Sequence, residues 1–173
     1  MKSIFYLLVF TLFFTSAIKA QEATWETYTT NAYEIKYPSD WDFKNSGAMI
    51  MDFLALSPLE SDDDNLRENI NLVKEDAQNL SIDAYFESSK KMLKKTFQKM
   101  DVISSKDVSK NGVSMKKFTY TAEFGDEYLY FNQYYGIQNN IAYVLTFTSE
   151  KDKYASFKSI EDKIFESFKL ITK

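Results

Sequence analysis

The chain has 173 residues, of which two are proline and four are glycine, and its formal net charge is −4. This length suits one compact domain. The chain contains neither histidine nor cysteine, which excludes Ser-His-Asp and Cys-His catalytic sites and zinc sites with His or Cys ligands. Its mild acidity argues against nucleic-acid binding, which requires a concentrated basic surface.

The first twenty residues have the pattern of a secretory signal peptide. Lys2 precedes the apolar stretch 4–14, which is too short to span a bilayer comfortably. The small residue Ala20 then precedes the polar Gln21, and we expect cleavage between them. An uncleaved anchor or an amphipathic helix is the alternative interpretation.

Export has consequences for the rest of the chain. Residues 1–20 carry two lysines and no acidic residue, so their removal changes the net charge from −4 to −6. We expect one domain over residues 21–173, with no integral membrane segment after cleavage and no lipid anchor. Without disulfides the core must hold the fold by burial alone. The predicted location is the periplasm or the medium beyond it.

The first half of the mature chain has strand character. Alternating or continuous apolar residues predict strands over 33–37, 50–56 and 68–75. Pro38 ends the first strand, because proline has no amide N–H to donate to a sheet. Trp41 follows directly and is either a displayed binding residue or part of the core. We predict a structural anchor, since an indole buries a large apolar area.

Residues 58–65 form a polar loop that carries four acidic side chains: Glu60, Asp62, Asp63 and Asp64. Clustered carboxylates are the ligands that calcium prefers. Their spacing does not match the EF-hand loop, and the glycine that this loop requires is missing. We therefore favour a solvated connection and keep the acidic loop as a candidate partner-binding or ion-binding segment.

The period changes to that of a helix over residues 81–100, with Ser81 as the N-cap. The side opposite the apolar stripe carries a lysine face: Lys90, Lys91, Lys94, Lys95 and Lys99. Such a face can dock on anionic headgroups or on an acidic partner. More often it is the solvated side of an amphipathic helix, which is the interpretation that we favour.

Four further strands are expected over 102–109, 113–124, 127–137 and 141–148. Asn-Gly at 111–112, Gly-Asp at 125–126 and the polar triplet 138–140 supply the turns between them. The strands should form an antiparallel meander. Within the second strand we expect one apolar face: Phe118, Tyr120, Ala122 and Phe124.

Tyrosines are concentrated on one face of the third of these strands: Tyr128, Tyr130 and Tyr134, with Tyr120 as a possible neighbour. Stacking on a sugar or an aromatic ligand is one interpretation. Packing across strands under a helix is the one that we favour.

A closing helix is predicted from Ser149 and Asp152, which resemble a capping box. Its apolar stripe is Tyr154, Phe157, Ile160, Ile164, Phe165 and Phe168. Strands in blocks with a helix after each block indicate an α+β fold, in which helices pack on an antiparallel sheet.

Three stretches resemble the PsbP-like superfamily. Residues 33–43 (YEIKYPSDWDF) resemble its opening strand with a Tyr-Pro-x-x-Trp pattern, and residues 66–76 (LRENINLVKED) resemble a later strand. Residues 143–170 resemble its last strand and closing helix. The resemblance implies an α/β/α sandwich with a central antiparallel sheet flanked by helices, and non-catalytic docking onto larger assemblies. The photosynthetic role of some relatives is not carried over, because this chain lacks histidines that could bind metal there.

We therefore expect an exported protein that is not an enzyme, needs no cofactor, is monomeric, and binds or stabilises a protein partner in the cell envelope. The candidate contact residues are the lysines 90, 91, 94 and 95 and the acidic loop. The alternative is a periplasmic protein that binds a small ligand or calcium. A hydrolase with a carboxylate pair is a third hypothesis, but no acidic pair is marked by its context.

Overall fold

The structure, a computed structural model, describes residues 24–44, 51–62, 64 and 66–171. The predicted signal peptide and its cleavage point lie outside the described residues. The strands are β1 (Trp25–Thr29), β2 (Tyr33–Pro38), β3 (Asp42–Lys44), β4 (Met51–Leu56), β5 (Asn69–Asp76), β6 (Met100–Lys110), β7 (Val113–Phe124), β8 (Glu127–Gln138), β9 (Ile141–Glu150) and β10 (Lys169–Leu170). The helices are α1 (Ile82–Thr96) and α2 (Tyr154–Ser167).

Seven of these strands form the central sheet, in the order β3-β4-β5-β9-β8-β7-β6. Every neighbouring pair in it is antiparallel. The predicted meander is confirmed as its β6 to β9 part, in which sequential strands are also neighbours. The strand β6 lies at one edge, a position that matters for the site described below.

The two helices pack on opposite faces of this sheet. On one face, α1 contributes Tyr85 and Phe86 to a core with side chains of β7 and β8. On the other face, α2 contributes Ile164 and Phe165 to a larger core. A small antiparallel sheet, β1-β2-β10, packs on that second face beside α2. The α/β/α sandwich is therefore confirmed, with a three-stranded sheet added to one outer layer.

The hairpin turns have the backbone that their sequences predict. Asn111 and Gly112 both have positive φ, at 50° and 80°, as a type I′ turn requires. Asn139 and Asn140 repeat this geometry, with φ of 52° and 60°. Asparagine tolerates the left-handed region better than most residues. These turns fix the register of β6 to β9, and so they decide which side chains share a face.

The first helix ends earlier than the sequence predicts. Ser81 is its N-cap as expected, and its hydroxyl accepts from the amide of Ala84 at 3.2 Å. The helix stops at Thr96 instead of residue 100, because Met100 already pairs with Ala122 in the sheet. Pairing in a strand requires an extended backbone, which ends the helix.

The predicted capping box of the second helix is wrong. Ser149 lies in β9 and is fully buried, and the N-cap position of α2 belongs to Lys153, without a side-chain capping bond. The reason is that β9 continues as far as Glu150, which pairs with Leu129. The helix therefore begins several residues later than predicted.

The apolar face predicted for β7 is only partly correct. Phe118, Tyr120 and Ala122 are buried under α1. Phe124 is 64% exposed, because it lies at the end of the strand.

Trp41 is part of the core, as predicted. It is 5% exposed and belongs to the cluster that includes Ile164 and Phe165 of α2. Among the described residues, neither helix is long and apolar enough to cross a membrane.

Candidate functional site

The acidic loop is held against the start of α2 by one lysine. The Lys153 ammonium lies 3.0 Å from both Glu60 and Asp64, and 3.1 Å from Glu150. The Asp64 carboxylate also accepts from the Glu60 amide, which with Lys153 lowers its pKa. The same three carboxylates raise the pKa of Lys153, with Glu60 contributing most.

Three carboxylates therefore converge on the Lys153 ammonium, which occupies the position that a calcium ion would need between them. Asp62 is exposed, and Asp63 lies outside the described residues. Within the part of the chain that the structure describes, no group of three or more acidic side chains is arranged to hold a metal ion. The described part of the loop is thus anchored to α2 by Lys153, and a role of the loop in binding a partner or an ion stays a prediction.

The lysine face follows the solvated side of α1. Lys91, Lys94 and Lys95 are exposed and make no ion pair with another described residue. Lys90 is bound to Glu87 at 2.5 Å and lies over the Phe86 ring, and Lys99 pairs with Glu123 at 2.5 Å. Two of the five predicted lysines are thus partly neutralised. The role of the others in partner binding stays a prediction.

The tyrosines of β8 pack mainly within the protein. Tyr130 stacks on Tyr154 of α2, with ring centroids 3.8 Å apart, and Tyr134 contacts Phe165 at 4.4 Å. Burial raises the pKa of both strand tyrosines. Tyr120 is not their neighbour on this face, because it belongs to the core under α1.

A groove lies on the α2 face of the sheet, beside the first turns of that helix. The helix α2 covers β8 and β9 there and leaves a stretch of β6 and β7 open. The groove has a volume of about 400 Å³, within the range of ligand sites. We call it the basic groove, after its lining of lysines and hydroxyls: Lys106, Lys117, Lys151, Ser104, Thr119 and Thr121. Tyr130, Tyr154 and Ile103 complete it.

Acidic side chains lie close to the basic groove but do not form ion pairs with its lysines: Asp101 accepts from the Tyr128 hydroxyl, and Glu161 is buried. None of the three groove lysines makes an ion pair with another described residue; Lys117 lies over Tyr134 and Lys151 lies over Tyr128. Lys106 and Lys117 are directly opposite each other on β6 and β7. Like charges in that arrangement destabilise a sheet.

The neighbouring cross-strand pair on the other face shows the opposite arrangement. There Lys116 is opposite Asp107 and binds both it and Asp83. The cavity beside it, about 480 Å³ in volume, thus has its cation already neutralised. The basic groove differs in keeping its cations available.

A buried polar chain runs from the wall of the basic groove into the protein. The Thr119 hydroxyl donates to the Asn132 side chain at 3.1 Å, and the Asn132 amide donates to Glu161 of α2. Glu161 is fully buried, and its second oxygen has no hydrogen-bond partner among the described residues. Burial raises the Glu161 pKa against the opposing effects of Asn132, Lys158 and Lys117. Glu161 is enclosed and therefore does not reach the groove itself. Its carboxylate accepts from Asn132, which in turn holds Thr119 in place.

Comparison with known sequences places this architecture in a family. The family described as "PsbP-like protein" matches residues 15–170. The chain belongs to the PsbP-like family. Among curated protein sequences none matches it.

Solved structures agree with this family at the level of the fold. Cyanobacterial PsbP (CyanoP) from Synechocystis sp. PCC 6803 is 16% identical with a TM-score of 0.64, and the match covers 91% of this chain and 99% of that one. LpqN of Mycobacterium tuberculosis, described as involved in cell envelope biogenesis, has a TM-score of 0.66 at 8% identity, covering 88% and 93%. PA94 of Pseudomonas aeruginosa, a protein of unknown function and putative regulator, has a TM-score of 0.60 at 10% identity. That match covers 86% of this chain and 97% of PA94. Identities this low show the fold alone.

The basic groove was not predicted from the sequence. Its lysines are distributed over β6, β7 and the connection to α2, so no charge run marks them. The one available signal is the like-charge pair Lys106 and Lys117. Recognising it requires the register of the hairpin, which depends on a bulge between Val102 and Ser104.

Proposed function

We propose that this PsbP-like protein is exported and acts without catalysis, by binding and stabilising a partner protein in the cell envelope through the outer part of β6 and β7. Its lack of histidine and cysteine removes the commonest nucleophilic and zinc chemistry. The fully buried Glu161 offers no reactive group to a substrate.

One observation carries this proposal: two consecutive apolar side chains are exposed at the free edge of the central sheet. Val102 and Ile103 are consecutive, and they are 49% and 58% exposed. Exposed apolar clusters on a protein surface mark interaction sites more often than isolated apolar residues do. The basic groove adjoins this pair, since Ile103 belongs to both.

The comparisons support an envelope setting without specifying a partner. LpqN, which shares the fold, is described as involved in cell envelope biogenesis. The predicted signal peptide of residues 1–20 is consistent with the same compartment. Since a shared fold does not imply a shared function, the partner of this chain must be identified through its own surface.

Site-specific photocrosslinking tests the proposal in intact cells. A benzoylphenylalanine replaces Ile103 in the full-length protein, and the matched control carries it at Lys36, which is exposed on β2. We expect one discrete adduct from position 103 and none of that mass from position 36. The adduct should be found in the envelope fraction. Equal adducts from both positions, or none from position 103, would show that the edge of β6 is not the partner-binding surface.

A further inference from the structure

We propose that the basic groove binds an extended acidic segment of the partner, with two carboxylates that flank an apolar residue. This inference rests on the proposed function and specifies its chemistry. The segment lies across β6 and β7 with one acidic side chain between Lys106 and Lys117 and the other near Lys151. The intervening apolar side chain contacts Ile103 and Tyr154.

The like-charge pair provides the first argument. Lys106 and Lys117 are cross-strand partners, so their side chains leave the sheet on the same face and close together. The other two lysines of this hairpin have partners: Lys116 binds two carboxylates, and Lys110 donates to the Phe165 carbonyl. An anion between Lys106 and Lys117 would convert their repulsion into two attractions. A local conflict of this kind is expected where a protein has kept a binding site at the expense of stability.

The length of the groove provides the second argument. Its lining on β7 runs from Lys117 to Thr121, which are four residues apart on one strand. At roughly 3.3 Å per residue this distance is about 13 Å. In an extended peptide, alternate side chains point to the same side, so positions i, i+2 and i+4 face the groove. Lys106 and Lys117 lie at one end of this stretch, and at the other end Lys151 lies over Tyr128, which is opposite Glu123 beyond Thr121. Acidic residues at i and i+4 therefore match these two ends.

The lining between these ends favours a peptide over a free anion. The middle of the groove combines the hydroxyls of Ser104, Thr119 and Thr121 with the apolar Ile103 and Tyr154. Hydroxyls can bond to peptide groups, and the apolar side chains can bury a side chain of the ligand. Thr119 is also held by Asn132, which fixes its hydroxyl position. A small inorganic anion would use only one end of this surface.

Peptides of defined spacing test the inference on the mature protein. The probe is the blocked peptide Glu-Ser-Phe-Ser-Glu, and its control Glu-Glu-Phe-Ser-Ser has the same composition with adjacent carboxylates. Binding is followed by the amide chemical shifts of the isotope-labelled protein. We expect the probe to shift signals of β6, β7 and Lys151, with an affinity about tenfold higher than that of its control. Its affinity should fall with added salt.

Two charge reversals separate the groove from the rest of the surface. Lys106→Glu should reduce the affinity for the probe about tenfold or more. Its melting temperature should be equal to or above that of the wild type, because the introduced carboxylate would lie opposite the Lys117 ammonium. Lys36→Glu, the same change at an exposed lysine of β2 without an ion pair among the described residues, should leave the affinity unchanged.

Three results would overturn the inference: no binding of the probe, equal affinity for both peptides, or shifts confined to other surfaces. Stronger binding of inorganic phosphate, free glutamate or phosphatidylglycerol vesicles than of the probe would also overturn it, in favour of a small anion or a lipid. The two proposals fail separately. If Lys106→Glu leaves the crosslink at Ile103 undiminished, the groove inference is wrong and the partner-binding function stands. If the probe binds as expected but Ile103 yields no adduct, the proposed function is wrong.

Discussion

Trp41 meets Phe157 of α2 edge to face, with ring centroids 6.4 Å apart and ring planes at 67°. This contact joins the turn after β2 to the helix that closes the chain, across more than one hundred residues of sequence. Edge-to-face pairs of this kind add to the stabilisation from area burial. The tryptophan therefore anchors the outer layer of the sandwich.

Replacing this anchor should destabilise the protein strongly. Trp41→Ala removes a buried indole and leaves a cavity, so we expect the free energy of unfolding to fall by about 3–5 kcal/mol. Urea denaturation measures this loss. Trp41→Phe keeps a ring against Phe157 and should lose less. An alanine variant with unchanged stability that no longer binds its partner would instead identify Trp41 as a binding residue.

The buried Glu161 should make stability depend on pH. Burial raises its pKa in the folded protein above the ordinary 4.5, so the folded state holds this proton more tightly than the unfolded state. Its contribution to stability is fully present below pH 4.5 and is lost as the pH rises through the folded pKa. Glu161→Gln should remove this part of the pH dependence.

Urea denaturation of both proteins across pH 4 to 8 measures the difference. Above pH 4.5 the free energy of unfolding of Glu161→Gln should exceed that of the wild type by a growing amount, since glutamine bears no charge to bury. Glu68, which is also buried with a raised pKa, stays in both proteins and cancels in the comparison. Parallel curves would show that Glu161 titrates normally in the folded state.

The anchor of the acidic loop is open to a separate test. In Lys153→Met, Asp64 keeps its backbone hydrogen bonds but loses its cation, so its pKa should rise towards the ordinary value of 3.8. A carbon-detected NMR titration of the Asp64 carboxyl group measures this. Proteolysis within residues 58–66 should also become faster. Lys151→Met, two residues away and without an ion pair among the described residues, should change neither property.

The turn between β6 and β7 requires glycine at its second position. Gly112 has a φ of 80° with open space around it, so the cost of a side chain there is conformational and not steric contact with neighbours. Gly112→Ala should lower the free energy of unfolding by about 1–2 kcal/mol. Thermal denaturation beside the exposed control Ser109→Ala would detect the loss. Equal stability of the two variants would mean that the turn relaxes to another type.

The sequence predicted those parts of the fold that depend on local patterns. Asn111 and Gly112 mark a turn by their own conformational preferences, and the flanking alternation then gives two strands. The short strands β1 and β10 were not predicted, because each is defined by pairing with β2 at a distance along the chain.

The site was harder to predict for a related reason. Met100 lies opposite Ala122. If the two strands continued from there without a bulge, Lys106 would lie opposite Lys116. The extra residue at Ile103 shifts the pairing by one and brings Lys106 opposite Lys117. Nothing in the composition of β6 identifies Ile103 as that extra residue.

The same bulge also affects edge-to-edge pairing of β6 with another strand. A long free edge invites a second β6 to continue the sheet, and bulges are one device that prevents such pairing. Here the irregularity divides the eleven-residue edge into a short stretch ending at Val102 and a longer one beginning at Ser104. An incoming strand would lose its alignment at Ile103. A sheet edge interrupted in this way is a poorer template for a second strand than a continuous one.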